Sequence, residues 1–371
     1  MKAIKTILIA LVSLIAVAVS AVFCIWGREI RTVTSVHMVG DNGYLYEMDY
    51  RARYDLDDII ASDIDENSKL LSYVIGKVGK GLPIKLKASA GPEPLDGEHC
   101  TSFQASKSGS PGYLYGRNYD YFKNPIMVTH SHPKNGYASI AVSDMSHFGY
   151  SLDKVPNTLA QKVLCIASVY APVDGMNEKG LCTSIMALPN QASRQSTGKH
   201  AVGTTIIMRL FLDRCATVEE ALDLLSKVDV RHDAAAGSGY HYMVADAKGD
   251  CAVIEFDKDD GWKTMIVRKG DAPYMHVTNH LLSPKYYTTV PDPSVGNPNS
   301  HSWWRYEVVD EYLSSLQGFV TVEQAQECLS LVHWKDLLWD NGTVEDTQYS
   351  NVYDQDELTL RMRPWNDYDR T

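Results

Sequence analysis

Twenty residues from Ile7 to Trp26 carry no charge, and a helix that is apolar on every face has no side to turn toward water in a globular domain. Such a helix rises about 30 Å, the thickness of a bilayer's hydrocarbon core. Lys2 and Lys5 precede the run, and Arg28, Glu29 and Arg31 come after it. The lysine end should stay in the cytoplasm and the remainder should lie outside. Ala18-Val19-Ser20 offers small residues at signal-peptidase spacing. Residues 1–32 are therefore read as a cleaved signal peptide or as an anchor through residues 7–26. In either case the protein is extracytoplasmic, secreted or held at the outer face of the cytoplasmic membrane.

The rest of the chain is long enough and apolar enough to bury a full core, with 44% hydrophobic and 22% charged residues in the whole sequence. A net charge of -11 without a basic run argues against nucleic acid as a partner. Six cysteines beyond Cys24 are scattered and show no CxxC or Cys/His metal spacing. A core of this size needs no disulfides, so most of them are expected as buried free thiols.

Residues 33–99 read as an N-terminal extension or propeptide, with a strand at Tyr44–Tyr50 and helical patterns at Leu56–Ile59 and Ser68–Val78. Gly79 to Gly97 reads as a loop. The texture changes at Cys100. Short β-rich runs come next at Thr101–Ala105, Tyr113–Arg117 and Tyr137–Val142. Helices are expected at Thr217–Val228, Trp303–Leu316 and Thr321–Val332, the first and last opening on Thr with Glu or Gln three residues later. A hairpin is expected from His241–Asp246 and Cys251–Phe256, and closing strands at Ser350–Tyr353 and Leu358–Met362. This order implies an α+β fold of antiparallel sheets between helical layers, with one domain over residues 100–371.

The chemistry concentrates in Cys100-Thr101-Ser102-Phe103-Gln104-Ala105 and Tyr115-Gly116-Arg117-Asn118-Tyr119-Asp120. A hairpin turning near Gly112 brings Arg117 and Asp120 to Cys100, giving a thiol, a cation and a carboxylate in one cluster. A free thiol titrates at about 8.5, and a nearby guanidinium favours the thiolate. Cutting the His99–Cys100 bond would add an α-amine of pKa about 7.7–8.0, able to take the thiol's own proton. Asp120 could orient that amine. Before the cut the nitrogen is an amide, so a latent precursor is expected.

These segments resemble the choloylglycine hydrolase and penicillin V acylase group of N-terminal-nucleophile hydrolases. Further matching stretches, in the same order, are Asp174-Gly175-Met176-Asn177-Glu178-Lys179-Gly180-Leu181, Val277-Thr278-Asn279-His280, Ser302-Trp303-Trp304-Arg305-Tyr306 and Tyr349-Ser350-Asn351-Val352-Tyr353-Asp354. The resemblance implies a four-layer αββα sandwich and cleavage of linear amide C–N bonds through a thioester, with no cofactor and no metal. It also implies Cys100 as nucleophile, Arg117 and Asp120 as its tuning pair, Asn279 as oxyanion donor and Arg305 as a supporting residue. The partner is then a small N-acyl amide. Bile salt hydrolases carry an asparagine after the central strand where Ala187 or a neighbour stands here, so the oxyanion contact could come from a backbone N–H near Ala187, and the substrate stays open among bile-salt-like, penicillin-V-like and other N-acyl amides. Their cysteine also comes after little more than the initiator methionine, whereas here a long segment precedes it.

Other readings remain open from sequence. An acyltransferase would hand the thioester to an amine instead of water. A papain-like protease would draw a base from His232, His241 or His280, without the papain signature. A third possibility is a tethered binding protein that is never cut. Asn177 and Glu178 read as turn formers and His130 with His132 as a solvated loop. Trp303 and Trp304 read as helix core, and Asn341-Gly342-Thr343 as a surface glycosylation triplet. Oligomeric state has no signal.

Overall fold

The computed structural model describes residues 2–40, 43–80, 99–189, 191–233, 238–287, 298–338, 342 and 344–365. Residues 81–97 of the expected loop, and Asn341 and Thr343 of the glycosylation triplet, lie outside the described residues. The chain opens with α1 (Lys2–Ser35), β1 (His37–Met38), β2 (Leu45–Tyr50), α2 (Leu56–Ala61) and α3 (Asn67–Gly79). From His99 it runs through β3 (His99–Lys107), β4 (Tyr113–Tyr121), β5 (Ile126–Ser131), β6 (Ser139–Asp144) and α4 (Leu159–Lys162) into a 3₁₀ segment, Val163–Tyr170. Then come β7 (Asp174–Asn177), β8 (Cys182–Pro189), β9 (Ala201–Gly203), α5 (Ile206–Arg214), α6 (Val218–Leu225), β10 (Asp229–Arg231), β11 (Ser238–Ala245), β12 (Cys251–Asp257), β13 (Lys263–Arg268) and β14 (Tyr274–Val277). The chain closes with α7 (Pro298–Ser315), β15 (Phe319–Val320), α8 (Val322–Leu331), β16 (Leu337–Leu338), β17 (Val344–Asp354) and β18 (Thr359–Pro364).

Two sheets carry the core. One has the order β1-β2-β5-β6-β7-β8-β11-β12-β13, and the other β14-β3-β4-β17-β16, with β15 beside β3 and β18 beside β17. They meet where β3 faces β8. Helices α5 and α6 cover the outside of the first sheet, and α7 and α8 cover the second, so the layers run helix, sheet, sheet, helix. Residues on both faces of the central strands are therefore buried: every residue of β12 and all but the first of β4 is inside. The expected α+β sandwich of antiparallel sheets is present, with helices α6, α7 and α8 where the periodicity puts them. At α8 the capping box of Thr321 and Gln324 forms in full. At α6 Thr217 caps the backbone of Glu220, while the Glu220 carboxylate accepts from the Ala216 N–H instead.

The stretch ahead of Cys100 is tied into this body. β2 joins the first sheet as a parallel partner of β5, from Leu45 beside Ile126 to Tyr50 beside Ser131. The end of α1 also packs down: Thr32 is buried, and its hydroxyl accepts from the N–H groups of Arg51 and Ala52 at 2.9 and 2.8 Å. Further back the helix differs. Large apolar side chains from Ile4 to Ile25 are exposed, and this is the one helix among the described residues with the length and apolarity to cross a membrane.

Candidate active site

Strand geometry decides which side chains meet. β3 and β4 pair antiparallel with Cys100 opposite Tyr119, Ser102 opposite Arg117 and His99 opposite Asp120. Side chains alternate across a strand, so Cys100, Ser102, Tyr119 and Arg117 look toward the first sheet. His99, Thr101, Asn118 and Asp120 look toward α7 and α8. Gly116 fits between these partners because a Cβ there would lie 2.3 Å from the Phe103 ring.

On the first face, Arg117 is fully buried and donates from Nη2 to the Ile185 carbonyl of β8 at 2.7 Å. Its Nε lies 3.8 Å from a carboxylate oxygen of Asp174, and its guanidinium sits over the Tyr119 ring at 5.6 Å. Burial works against its charge, but Cys100, Tyr349 and Asp174 more than offset this, and its pKa is raised. Asp174 is itself clamped by the hydroxyls of Tyr349 and Tyr353 and by Asn351 Nδ2 at 3.0 Å. Burial raises its pKa, with Arg117 opposing. Arg117 is thus a fixed, buried cation electrostatically coupled to Cys100, with Asp174 as its counter-ion.

The second face holds the backbone of Cys100. Arg305, two turns into α7, donates from Nη1 to the Cys100 carbonyl and to Thr101 Oγ1 at 3.0 Å, and from Nη2 to Asn279 Oδ1 at 2.9 Å. That same Oδ1 accepts from the Cys100 N–H at 2.6 Å, while Asn279 Nδ2 donates to the Ala187 carbonyl at 2.9 Å. Ser302, three residues before Arg305 and on the same helix face, fixes Asn279 through its backbone N–H at 2.8 Å. Asp120 reaches this group through Arg305, 4.0 Å away, and accepts from the Thr347 hydroxyl at 2.6 Å. Burial pushes its carboxyl up to about 7, with Arg305 and the Thr347 hydrogen bond opposing.

The hairpin therefore brings Arg117 and Asp120 to Cys100 but from opposite sides of the sheet. The single thiol–cation–carboxylate cluster expected from sequence is two clusters. Asp120 comes three positions after Arg117, an odd spacing that sends them to opposite faces. The nitrogen of Cys100 is gripped by Asn279 rather than by Asp120. Ala187 enters through its carbonyl, in register with Tyr240 of β11.

Sequence reasoning missed Asp174 as a buried counter-ion, although it sits inside a quoted segment and its three clamps sit inside another. It also missed His99 with Glu345, both buried, at 3.0 Å. Ser184 was missed too; it exchanges a hydrogen bond with Ser102 at 2.8 Å behind Cys100. Asn177 is the turn former expected, accepting from the N–H groups of Lys179 and Leu181. His130 pairs with Glu47 at 2.6 Å, and no metal-holding group of His, Cys, Asp or Glu occurs among the described residues. Of the protease-type histidines, His232 takes N–H bonds from Ser193 and Tyr240, His241 bonds the Thr278 carbonyl, and His280 bonds Ser302. Trp303 is buried and stacks on His280 at 3.7 Å, while Trp304 is exposed. All seven cysteines are free thiols.

Cys100 opens on a cavity lined by Tyr119, Phe148, Val173 and Ile185 from the body and by Leu70 and Leu71 from α3.

A family model described as acyl-coenzyme A:6-aminopenicillanic acid acyl-transferase matches residues 156–363. The chain belongs to that family. The acyl-transferase family match takes in Asp174, Asn279, Arg305 and the closing strands, and it begins downstream of Cys100, Arg117 and Asp120. No curated protein matches the chain by sequence. Among solved structures, a mutant of conjugated bile acid hydrolase from Clostridium perfringens is similar at 15% identity and a TM-score of 0.49, over 72% of this chain and 92% of that one. Penicillin V acylase from Agrobacterium tumefaciens is similar at 17% identity and a TM-score of 0.47, over 71% of this chain and 83% of that one.

Proposed function

We propose that this protein hydrolyses linear amide C–N bonds of N-acyl amines, with Cys100 as nucleophile after cleavage of the His99–Cys100 bond. One observation carries the reading. Asn279 grips the nitrogen of Cys100 and Arg305 its carbonyl, while its side chain faces a cavity beside a buried cation.

In the precursor, Cys100 Sγ adds to the His99 carbonyl. The peptide C–N bond breaks as the acyl group passes to sulfur, and the thiol proton ends on the departing amine. Water then splits the thioester, leaving a carboxylate on His99 and a free amine on Cys100. The freed amine, held by Asn279, takes the thiol proton. The thiolate, favoured by Arg117, attacks the substrate carbonyl, and Asn279 Nδ2 donates to the resulting oxyanion. Arg305 fixes Cys100 and Asn279 relative to one another, and Asp120 holds Arg305. The substrate's amine leaves with the proton that Cys100 had taken up, and water releases the acid. No step calls on a metal or cofactor.

In this reading residues 33–99 form the extension and residues 100–371 the catalytic unit. Residues 1–32 place the enzyme outside the cytoplasmic membrane, tethered by α1 where it is not removed. The exposed apolar surface of α1 supports this.

A second reading draws on the family's description as an acyl-transferase: the thioester passes to an amine acceptor. Intact mass and N-terminal sequencing of wild type beside Cys100→Ala, followed by an acyl-amide assay with and without added amine, test both. A wild type that begins at Cys100 and releases free acid, beside an uncut mutant, is the expected result. Acid release that gives way to a new amide when amine is present supports transfer. An uncut wild type with no turnover overturns the proposal.

A further inference from the structure

The cavity in front of Cys100 has a wall that the catalytic unit does not make. Leu70 and Leu71 line it from α3, a helix of the stretch ahead of the proposed cut, and Phe148, Val173 and Ile185 line it from the body. Leu70 is buried and Leu71 half-buried. The helix is seated by Leu70 and Val74 and by its first N–H, from Asn67 to Asp233 at 2.8 Å. At its other end Trp26 Nε1 donates to the Val78 carbonyl at 2.8 Å, and Lys80 pairs with Glu29 at 2.8 Å.

The space left is small, about 60 Å³. A water-sized group needs roughly 10–15 Å³, so the cavity takes about four to six such groups. Leu70, Leu71, Phe148, Val173 and Ile185 give it an apolar wall, which suits an acyl chain, while His147, Asp233 and the Thr204–Thr205 pair give it a polar one.

We propose that Leu70 and Leu71 of α3 set the length of acyl group the enzyme accepts, limiting it to apolar chains of about four to six carbons. The inference rests on the reading of Cys100 as the amide-cleaving nucleophile. Leu71 is the more adjustable of the two, because Leu70 also anchors the helix. Replacing Leu71 by Ala removes three carbon atoms from the wall, and Trp in its place extends the side chain into the cavity.

The test uses full-length protein, wild type, Leu71→Ala and Leu71→Trp, with folding checked by circular dichroism. Each is assayed against aminocoumarin amides of acetic, butyric, hexanoic, octanoic and decanoic acids. In parallel, Cys100 is labelled with N-alkylmaleimides of the same lengths and read by intact mass, which requires no turnover. Wild type should prefer the butyryl and hexanoyl amides. Leu71→Ala should move the optimum toward octanoyl, raising the octanoyl-to-butyryl ratio of kcat/KM about tenfold. Leu71→Trp should lose hexanoyl and keep acetyl cleavage. The same length profile in all three proteins, with turnover intact, overturns the role of α3 and leaves the nucleophile assignment standing. Absence of turnover in wild type overturns the amidase reading, and the maleimide series then decides whether α3 limits the cavity. Labelling rates independent of chain length in wild type and both variants, or no labelling at all, overturn it.

Discussion

The imidazole of His99 lies 3.0 Å from both carboxylate oxygens of Glu345, and the backbone N–H of His99 points to the same carboxylate at 3.3 Å. Both side chains are buried, and His99 is one residue upstream of Cys100. The pair fixes the acyl side of the bond proposed to be cut, as Asn279 fixes its amine side. Positioning at this scale is worth orders of magnitude in rate. Glu345→Gln keeps the shape and removes the charge. Conversion of precursor to a chain beginning at Cys100, followed by intact mass over time, is expected to slow at least tenfold. A variant chain begun at Cys100 and combined with the separately expressed upstream stretch should retain wild-type turnover. Unchanged processing in Glu345→Gln would make the pair structural only.

Asn279 holds two positions with two atoms: Oδ1 faces the Cys100 nitrogen and Nδ2 the Ala187 carbonyl. Asn279→Asp keeps an acceptor for the amine, and Arg305 remains beside it, but the amide donor is gone. Loss of one oxyanion donor removes about 10²–10³ in kcat. Processed Asn279→Asp should therefore fall by that factor while Cys100 still labels with a thiol probe. Asn279→Ala should lose both turnover and ordered labelling. Equal kcat in wild type and Asn279→Asp would place the oxyanion donor elsewhere.

These two residues also show how far the sequence could be read. The β3–β4 hairpin, the β11–β12 hairpin and helices α6 to α8 arise from local periodicity, turn glycines and caps, which are properties of neighbours in the chain. The alternation of a strand was equally legible, and it separates Arg117 from Asp120. What local patterns do not carry is contact across long separations. The grip of Asn279 and Arg305 on Cys100 joins three elements, and only the family resemblance pointed to it. Asp174 meets Tyr349 and Tyr353 from strands far apart in the chain, and the parallel entry of β2 beside β5 is of the same kind. Each burial there depends on a partner that no nearby residue announces.

Asp120 ties stability to pH. Its carboxyl is raised to about 7 by burial, above the ordinary value near 3.8 that it regains on unfolding. Between those values the folded chain holds a proton that the unfolded chain has lost. Its contribution is full below about pH 4, falls as pH rises, and is gone above about pH 7. One such proton gives a slope of at most about 1.4 kcal/mol per pH unit. The groups facing it are Arg305, Thr347, Glu345 and His99. Asp120→Asn should flatten the decline in urea-unfolding stability between pH 4.5 and 7 relative to wild type. Parallel curves for the two proteins would mean that Asp120 stays ionised throughout this range.

Arg117 has two effects that one substitution separates from simple loss of packing. Its guanidinium is coupled to Cys100 on one side and to Asp174 on the other. Arg117→Met preserves much of the side-chain length and removes the charge. Asp174 then remains buried beside two tyrosines without its cation, a change of the kind that costs about 3–5 kcal/mol. The midpoint of urea unfolding should fall accordingly at pH 8. Asp174→Asn in the same chain should restore much of that loss, because the uncompensated carboxylate is gone. Thiol reactivity should not recover. With the cation absent in both variants, the pH midpoint for alkylation of Cys100 should rise above that of wild type by about one unit or more. Recovery of stability without recovery of the alkylation midpoint assigns Arg117 to the thiol as well as to Asp174. A wild-type midpoint in the double variant would confine Arg117 to the structural ion pair and leave activation of Cys100 to its own amine.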